Sequence, residues 1–247
     1  MSKQLFQLDQ QWCRIHYPER PNGFAVMVLG DHHHYVDEKS SFWLQQDGRA
    51  EWIQELTNKG YLVFYSNLFG PNWGSNEAVQ LALRLYQHVK RNEIINGKIH
   101  ILAEGMGALV FKNLYPKMKD DLRSAVLLSP CVSLYEHFQQ EREQKFFYKK
   151  LVKEVSEAFQ IREKDCLSSI KKEVNDHMVF NQFELPIYII QWTSLNRYKN
   201  QFSLVKKIYK ERVANSLPTD LFYVLPEKRY SIGRKFISYF TLHEKVL

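Results

Sequence analysis

The sequence predicts an α/β fold built on a mostly parallel central sheet, and two features of its pattern lead to that prediction. Short continuous apolar runs, typical of strands buried on both faces, alternate with segments whose apolar residues recur at helical spacing. Residues 24–29 form the first such run. A short apolar run of Ile99, Ile101 and Leu102 predicts the strand around which the rest of the chain is arranged. Helices are expected to cover both faces of a parallel sheet of this kind.

The individual elements follow from the same pattern. Residues 1–24 predict an opening β-hairpin or meander, because apolar and polar residues alternate there before a turn at residues 18–23. Beyond the strand at 24–29, helices are predicted over residues 49–58, 78–90, 202–212 and 232–240, and strands over 61–65, 124–128, 187–191 and 221–225. A helix also follows the strand at 99–102 directly, because apolar residues continue there at helical spacing.

Residues 133–180 interrupt this alternation. The segment is highly charged, and Phe147, Leu151, Val155 and Phe159 recur in it at the i, i+4 spacing of a helix. That stripe is typical either of packing within the segment or of a lipid-binding groove, and we favour packing. We therefore predict one domain over residues 1–247 with a helical cap inserted at 133–180. The cap is expected over the carboxyl edge of the sheet, where open α/β sheets bind ligands.

The composition limits the class of protein. A chain of 247 residues, 45% hydrophobic and 25% charged, is long enough for one α/β domain with a sizeable core. No apolar run reaches the length of a membrane span, and the first residues lack the apolar core of a signal peptide. The scattered cysteines Cys13, Cys131 and Cys166 favour free thiols in a reducing compartment. We predict a soluble cytoplasmic protein with no cofactor and no metal.

The positive charge is concentrated near the C-terminus. The net charge is +7, and residues 196–247 contain 11 Lys and Arg against 4 Asp and Glu. Such a segment is typical of a solvated helix surface, but it is also what an acidic protein partner, a nucleic acid or a membrane surface would require. No nucleic-acid motif accompanies the charge, so the sequence gives no strong signal for nucleic-acid binding, and an acidic protein partner remains one of the predicted partners.

The central motif is a strand, a glycine-rich turn and a helix. The turn reads Ala103-Glu104-Gly105-Met106-Gly107. A strand, a sharp turn and a helix in this order make the geometry of a nucleophile elbow, which usually reads G-x-S-x-G with the serine at the apex. Here the apex is Gly105, which has no side chain that could attack a substrate.

On these residues the chain resembles the α/β-hydrolase family. Five pieces carry the resemblance in the family's order, namely residues 26–30, 58–63, 66–75, 101–110 and 186–190. They span nearly the whole chain. Leu29 stands where the family has the histidine of its His-Gly oxyanion motif, and residues 66–75 resemble the family's Asp-x-x-Gly-x-Gly-x-Ser loop without its aspartate.

The resemblance implies a nucleophile, an acid and a histidine in that chain order. Gly105 stands at the nucleophile position, Asn196 is the residue nearest to the acid position, and Arg229 lies where the histidine is expected. All three roles are therefore vacant together, which argues against triad chemistry at this elbow.

Other residues remain candidates for chemistry. His32 belongs to a run of three histidines on the loop that would form half of the oxyanion hole, where it could act as a base or a metal ligand, or be an ordinary polar loop residue. Glu104 beside the apex is a candidate displaced acid or nucleophile. Cys131 is a candidate nucleophile if something lowers its pKa, and is otherwise an inert buried thiol.

The residues expected to line a ligand site are Gly30, Asp31, Gly105, Met106 and Ser129. They follow predicted strands at the carboxyl edge or form the elbow itself. The backbone N–H of Met106 begins a helix, so it is expected to point into the pocket as an unpaired donor.

Three functions are consistent with these observations. We favour a non-catalytic protein that binds a small acyl or ester-like ligand, or a partner, under its cap. The alternative is an esterase or acyl hydrolase that uses relocated residues, drawn from Glu104, His32 and Cys131. A third possibility is a scaffold that docks an acidic partner on the basic C-terminal surface.

Overall fold

A computed structural model describes residues 3–171, 176–193, 197–225, 228 and 232–244. The strands are β1 (Lys3–Leu8), β2 (Gln11–His16), β3 (Ala25–Leu29), β4 (Leu62–Ser66), β5 (Ile99–Glu104), β6 (Leu122–Leu128), β7 (Ile187–Trp192) and β8 (Thr219–Val224). They form one eight-stranded sheet in the order β1-β2-β4-β3-β5-β6-β7-β8. The predicted strands are all present, with ends shifted by one or two residues.

The helices begin and end as follows. They are α1 (Phe42–Gln45), α2 (Asp47–Asn58), α3 (Asn76–Asn92), α4 (Gly107–Met118), α5 (Leu134–Glu141), α6 (Lys145–Phe159), α7 (Cys166–Lys171), α8 (Gln201–Ala214) and α9 (Ile232–Leu242), with short 3₁₀ helices at Lys119–Asp121, Glu163–Asp165 and Asp176–Gln182. The short helix α1 was not predicted.

The sheet is mostly parallel, as predicted. β1 and β2 form an antiparallel hairpin that adds to the sheet through β4. Parallel pairing then runs from β4 through β3, β5, β6 and β7 to β8. β5 lies between β3 and β6 in the interior of the sheet, which is why its side chains are buried on both faces.

Helices cover both faces of the sheet, and the alternation of side chains along β5 shows the two layers. Ile101 belongs to an apolar cluster with residues of α3, α4 and α8, whereas the next residue, Leu102, belongs to a cluster with residues of α2 and α9. Successive side chains of a strand point to opposite faces, so one strand supplies both cores. The predicted fold class is confirmed.

A third apolar cluster joins the helices between β6 and β7 to the elbow. Phe138 of α5 and Leu151 and Val155 of α6 pack with Met106 and Trp73. The predicted stripe on α6 is buried only in its middle, because Phe147 and Phe159 at its ends are 50% and 37% exposed. Only the central turns of α6 contribute to this cluster, so the prediction that the whole stripe is packed was wrong at both ends.

Three sequence predictions concern the surface and the thiols. The three cysteines are buried, and none of them is in a disulfide with another described residue. Within the described ranges, the helices are too short or too polar to cross a bilayer. On the basic segment, Lys206, Lys207 and Lys210 of α8 are exposed. Exposure is expected of a solvated surface and of a docking surface alike, so the acidic partner stays a prediction.

Candidate functional site

The elbow has the predicted strand, turn and helix, and its glycines are required by geometry. β5 ends at Glu104 and α4 begins at Gly107. Gly105 has a φ of +53°, in the left-handed region that favours glycine. A Cβ on Gly107 would lie 2.2 Å from the carbonyl oxygen of Leu29, so only glycine lets α4 approach β3 this closely.

The carboxyl group of Asp31 fills the space above the apex. A Cβ built on Gly105 would lie 2.3 Å from Asp31 Cγ. Oδ1 of Asp31 accepts hydrogen bonds from the backbone N–H of Met106, at 2.8 Å, and from the hydroxyl of Tyr198, at 2.6 Å. The Met106 N–H was expected to be an unpaired donor, but the chain's own carboxylate occupies it.

Two neighbours hold Asp31 in this position. Burial lowers the pKa of His34 to about 3, so the ring is neutral and its Nδ1 accepts the backbone N–H of Asp31 at 2.9 Å. Burial, together with the charge of Asp31, raises the pKa of Tyr198 well above its usual range. Its hydroxyl therefore keeps its proton and donates a hydrogen bond to the carboxylate. Gly30 leaves room for His34, because a Cβ there would lie 2.6 Å from His34 Cβ.

Glu104 is engaged in an ion pair. Arg49 Nε donates to Oε2 of Glu104 at 3.0 Å, and a guanidinium nitrogen of Arg49 contacts the other oxygen. Burial opposes the charge of Arg49, but the Glu104 carboxylate outweighs it and raises the pKa of the guanidinium. A carboxylate held by both of its oxygens is satisfied where it is. This ion pair joins Glu104 to α2, and the role of Glu104 as a displaced acid or nucleophile stays a prediction.

His32 has a carboxylate partner that the sequence did not reveal. Its Nε2 lies 2.8 Å from Oε2 of Glu154 on α6, and the indole N–H of Trp73 donates to the same oxygen at 3.1 Å. Burial opposes the charge of Glu154, but the hydrogen bonds from His32 and Trp73 and the charge of Lys150 lower its pKa overall. The other ring nitrogen, Nδ1, lies 3.2 Å from His33 Nε2.

Cys131 and Ser129 follow β6 beside the elbow, and both are tied to the backbone. Cys131 is fully buried, its thiol lies 3.8 Å from the carbonyl oxygen of Ser133, and its N–H donates to the carbonyl of Gly105. Ser129 Oγ accepts the N–H of Trp192 at 3.0 Å. These bonds hold the chain around the turn. The predicted vacant positions Asn196 and Arg229 lie outside the described residues.

Two cavities meet above the elbow, with His33 and Arg197 lining both. The smaller, of about 220 Å³, includes Asp31, Gly105 and Ser129, three of the predicted ligand-binding residues. The larger, of about 350 Å³, lies between the loop of residues 32–34 (the histidine loop), Trp73 and helices α5 and α6. Among the residues that the structure describes, no group of three or more His, Cys, Asp or Glu side chains is arranged to hold a metal ion.

Comparison by sequence finds no match: no family model and no curated protein matches the chain. Solved structures do match. Est1E from Butyrivibrio proteoclasticus is 9% identical, with a TM-score of 0.67 over 98% of this chain and 100% of its own. An acylaminoacyl peptidase from Pyrococcus horikoshii is 12% identical, with a TM-score of 0.68 over 97% of this chain and 41% of its own. Est1E with ferulic acid bound is 10% identical, with a TM-score of 0.62 over 97% of this chain and 98% of its own.

The chain has the α/β-hydrolase fold. Esterases, lipases, peptidases and thioesterases are among the solved structures that share it. At such low identities the likeness concerns the fold alone. In this α/β-hydrolase fold, the residues that sequence reasoning missed are Arg49, Glu154, Arg197 and Tyr198. They come from three separate segments, which are α2, α6 and the segment after β7. They meet the histidine loop only because the fold brings these parts of the chain together.

Proposed function

We propose that this chain is a non-catalytic α/β-hydrolase-fold protein that binds a small acyl ligand in the larger cavity. The observation that carries the proposal is the position of the Asp31 carboxyl group, which lies against Gly105 and accepts the N–H of Met106. Nucleophile and oxyanion donor are the two things that an elbow supplies to acyl transfer. At this elbow the nucleophile is absent, and the oxyanion donor is occupied by Asp31.

The energetic cost of this arrangement for acyl transfer is large. Removing one oxyanion-hole donor from a serine hydrolase costs about 10²–10³ in kcat. Here a negative charge also stands where the oxyanion would form, so the field at that point opposes the transition state rather than stabilising it. A nucleophile supplied from elsewhere would meet the same opposing charge at this elbow.

The larger cavity supports the binding part of the proposal. Its volume of about 350 Å³ falls within the range of about 300–1,000 Å³ of small-molecule sites. Trp73, Phe147 and Leu151 give it apolar walls, and His33 and Arg197 give it polar groups. Est1E, a structural neighbour, binds ferulic acid, and a molecule of that size suits a cavity of this volume.

Two measurements test this function. The first is turnover of p-nitrophenyl esters from acetate to octanoate, for which we expect rates equal to those of the heat-denatured protein. The second is calorimetric binding of octanoic and arylpropanoic methyl esters, for which we expect saturable binding without hydrolysis. Saturable turnover at any chain length would contradict the proposal, and so would the absence of binding to every ester.

One observation favours a second candidate, a hydrolase with relocated residues. The pair of His32 Nε2 and Glu154 Oε2 at 2.8 Å is a histidine oriented by a carboxylate, the acid–base unit of hydrolytic triads. It would have to act on water or on a nucleophile outside the elbow. Turnover that is lost in His32→Ala and Glu154→Gln but kept in Glu157→Gln, an exposed residue of the same helix, would establish this alternative.

A further inference from the structure

Arg197 lies where the two cavities meet, and within the described part of the chain no carboxylate forms an ion pair with it. Its side chain lines both cavities and is half-buried. Among the described residues, no carboxylate lies within 4.0 Å of its guanidinium nitrogens, and its ring contact is with Tyr198, 5.6 Å from the guanidinium carbon. A half-buried guanidinium has lost part of its hydration and presents up to five N–H donors.

The carboxylates whose charges act on Arg197 are bound by other donors. Glu141, which lines the larger cavity, accepts from Nε2 of Gln140 at 3.3 Å. Asp31 accepts from Met106 and Tyr198. Glu154 is bound by His32 and Trp73. Burial opposes the charge of Arg197, but Tyr198, Asp31 and Glu154 together raise its pKa, so the guanidinium is charged throughout the physiological range. The planar fork of arginine matches a carboxylate, which it binds through two parallel hydrogen bonds.

The wall of the larger cavity beside Arg197 is aromatic. Trp73 stacks with His137, their ring centroids 5.0 Å apart at 27°, and the His32 ring lies 5.7 Å from Trp73. Phe147 lines the same cavity and is half exposed. Aromatic rings prefer offset-stacked or edge contacts with other rings. A flat aryl group therefore fits this wall better than a branched alkyl group does.

We infer that the larger cavity binds an aromatic carboxylate, with the carboxylate on Arg197 and the ring against the half-exposed Phe147, since Trp73 lines the cavity but is only 2% exposed. This inference rests on the proposed function and names the chemical class of its ligand. Lys150, half exposed on the same cavity, adds a second positive charge, although it lies 3.7 Å from Glu154. Arg197 therefore supplies the main contact with the anion.

The test compares an acid with its neutral analogues. Binding of 3-phenylpropanoate, its methyl ester and its amide is measured by isothermal titration calorimetry on the full chain. We expect the acid to bind at least about tenfold more tightly than either neutral analogue, because a charge-assisted bidentate contact is stronger than a neutral one. Arg197→Met should abolish this difference, Arg197→Lys should keep part of it, and Lys199→Met, at the exposed neighbouring position, should leave it unchanged.

The outcomes separate this inference from the function on which it rests. Equal affinity for the acid and the methyl ester, or an acid preference that survives in a folded Arg197→Met variant, overturns the inference. If Arg197→Met does not fold, Arg197→Lys decides: a reduced acid preference supports the inference, and an undiminished preference overturns it. Binding of octanoic methyl ester without binding of any aryl acid also overturns it but leaves the proposed function standing. Hydrolysis of the methyl ester overturns the proposed function whatever the acid preference.

Discussion

The side chains at positions 31 and 105 exclude one another: the Asp31 carboxyl carbon lies 2.3 Å from the place where a Cβ on residue 105 would be. The contact follows from the fold, because the turn after β3 and the turn after β5 lie side by side at the carboxyl edge of the sheet. Position 31 can carry the carboxylate, or position 105 can carry a side chain. Both together would require Asp31 or the backbone to move.

Gly105→Ser should therefore destabilise the protein and create no esterase activity. The new Cβ displaces Asp31 from Met106 and Tyr198, and a non-glycine residue takes a φ of +53°. We expect a loss of about 2–4 kcal/mol in the free energy of unfolding, measured by urea denaturation. A serine without a base is a weak nucleophile, since general-base assistance is worth about 10²–10⁴-fold.

The double variant Gly105→Ser/Asp31→Ala provides the control. Removing the carboxylate relieves the clash, so the two substitutions should be less destabilising together than the sum of their separate effects, as expected for residues in contact. Additive effects would mean that the two side chains do not compete. Strong p-nitrophenyl ester turnover in the single Gly105→Ser variant would reveal a base that already faces the apex.

Asp31→Ala should turn the elbow into a vacant site for small carboxylates. The substitution leaves the Met106 N–H and the Tyr198 hydroxyl without their acceptor, at a cost of about 1–3 kcal/mol. We expect added formate or acetate to raise the melting temperature of this variant but not that of the wild type. Acetamide at the same concentration serves as the neutral control. An equal response of both proteins to acetate would show that Asp31 does not occupy this site.

Arg212→Met should destabilise the protein strongly. The Arg212 side chain is fully buried and donates to the carbonyls of Phe180, Phe183 and Leu185, at 2.6, 2.6 and 3.0 Å. Losing a charged donor that satisfies three buried carbonyls should cost at least about 3 kcal/mol. Lys210→Met, an exposed position on the same helix, should change the unfolding free energy by less than about 0.5 kcal/mol. Similar urea midpoints for the two variants would contradict this role.

Stability should fall as the pH is lowered below neutrality. Burial lowers the pKa of His16, His34, His100 and His137 from the ordinary 6.5 to about 3. Between these values the unfolded chain binds more protons than the folded one, so acid favours unfolding. Well below pH 6.5 each histidine contributes about 1.4 kcal/mol per pH unit.

Urea midpoints at pH 7.5, 6.5 and 5.5 measure this dependence. We expect His100→Gln to reduce the dependence of the unfolding free energy on pH by the contribution of one histidine. The substitution His88→Gln, at a partly exposed position on α3, should leave this dependence unchanged. A midpoint that is constant across this range would show that the buried histidines are protonated in the folded state.

The sequence could predict the sheet and the elbow because their signals are local. β5 is buried on both faces, and its Ile99, Ile101 and Leu102 indicate a buried strand although His100 lies among them. Gly105 and Gly107 mark a turn in which side chains do not fit. Asp31 was assigned to the ligand site, but its contact with Gly105 joins two loops that are distant in the chain. Neither loop alone indicates that the Asp31 carboxylate fills the space beside Gly105.

The partner of His32 could not be predicted for a different reason. Glu154 lies in a charged helix four residues after Lys150, and that spacing is typical of an ordinary surface ion pair. The one available signal is its place beside the buried Leu151 and Val155, which puts it on the edge of the apolar face of α6. Predicting the contact with His32 would require knowing that α6 lies over the histidine loop. That placement depends on the tertiary structure and is not visible in the local sequence.

The contact between Asp31 and Gly105 also determines how variants of this protein should be sought. If a library randomises position 105 alone and is selected for folded protein, we expect it to return glycine. Every other residue there must displace a hydrogen-bonded carboxylate and take up a left-handed backbone conformation. A library that randomises position 31 alone will return folded proteins that still lack an attacking group. Only a library that varies both positions in the same molecule samples elbows with a side chain at the apex.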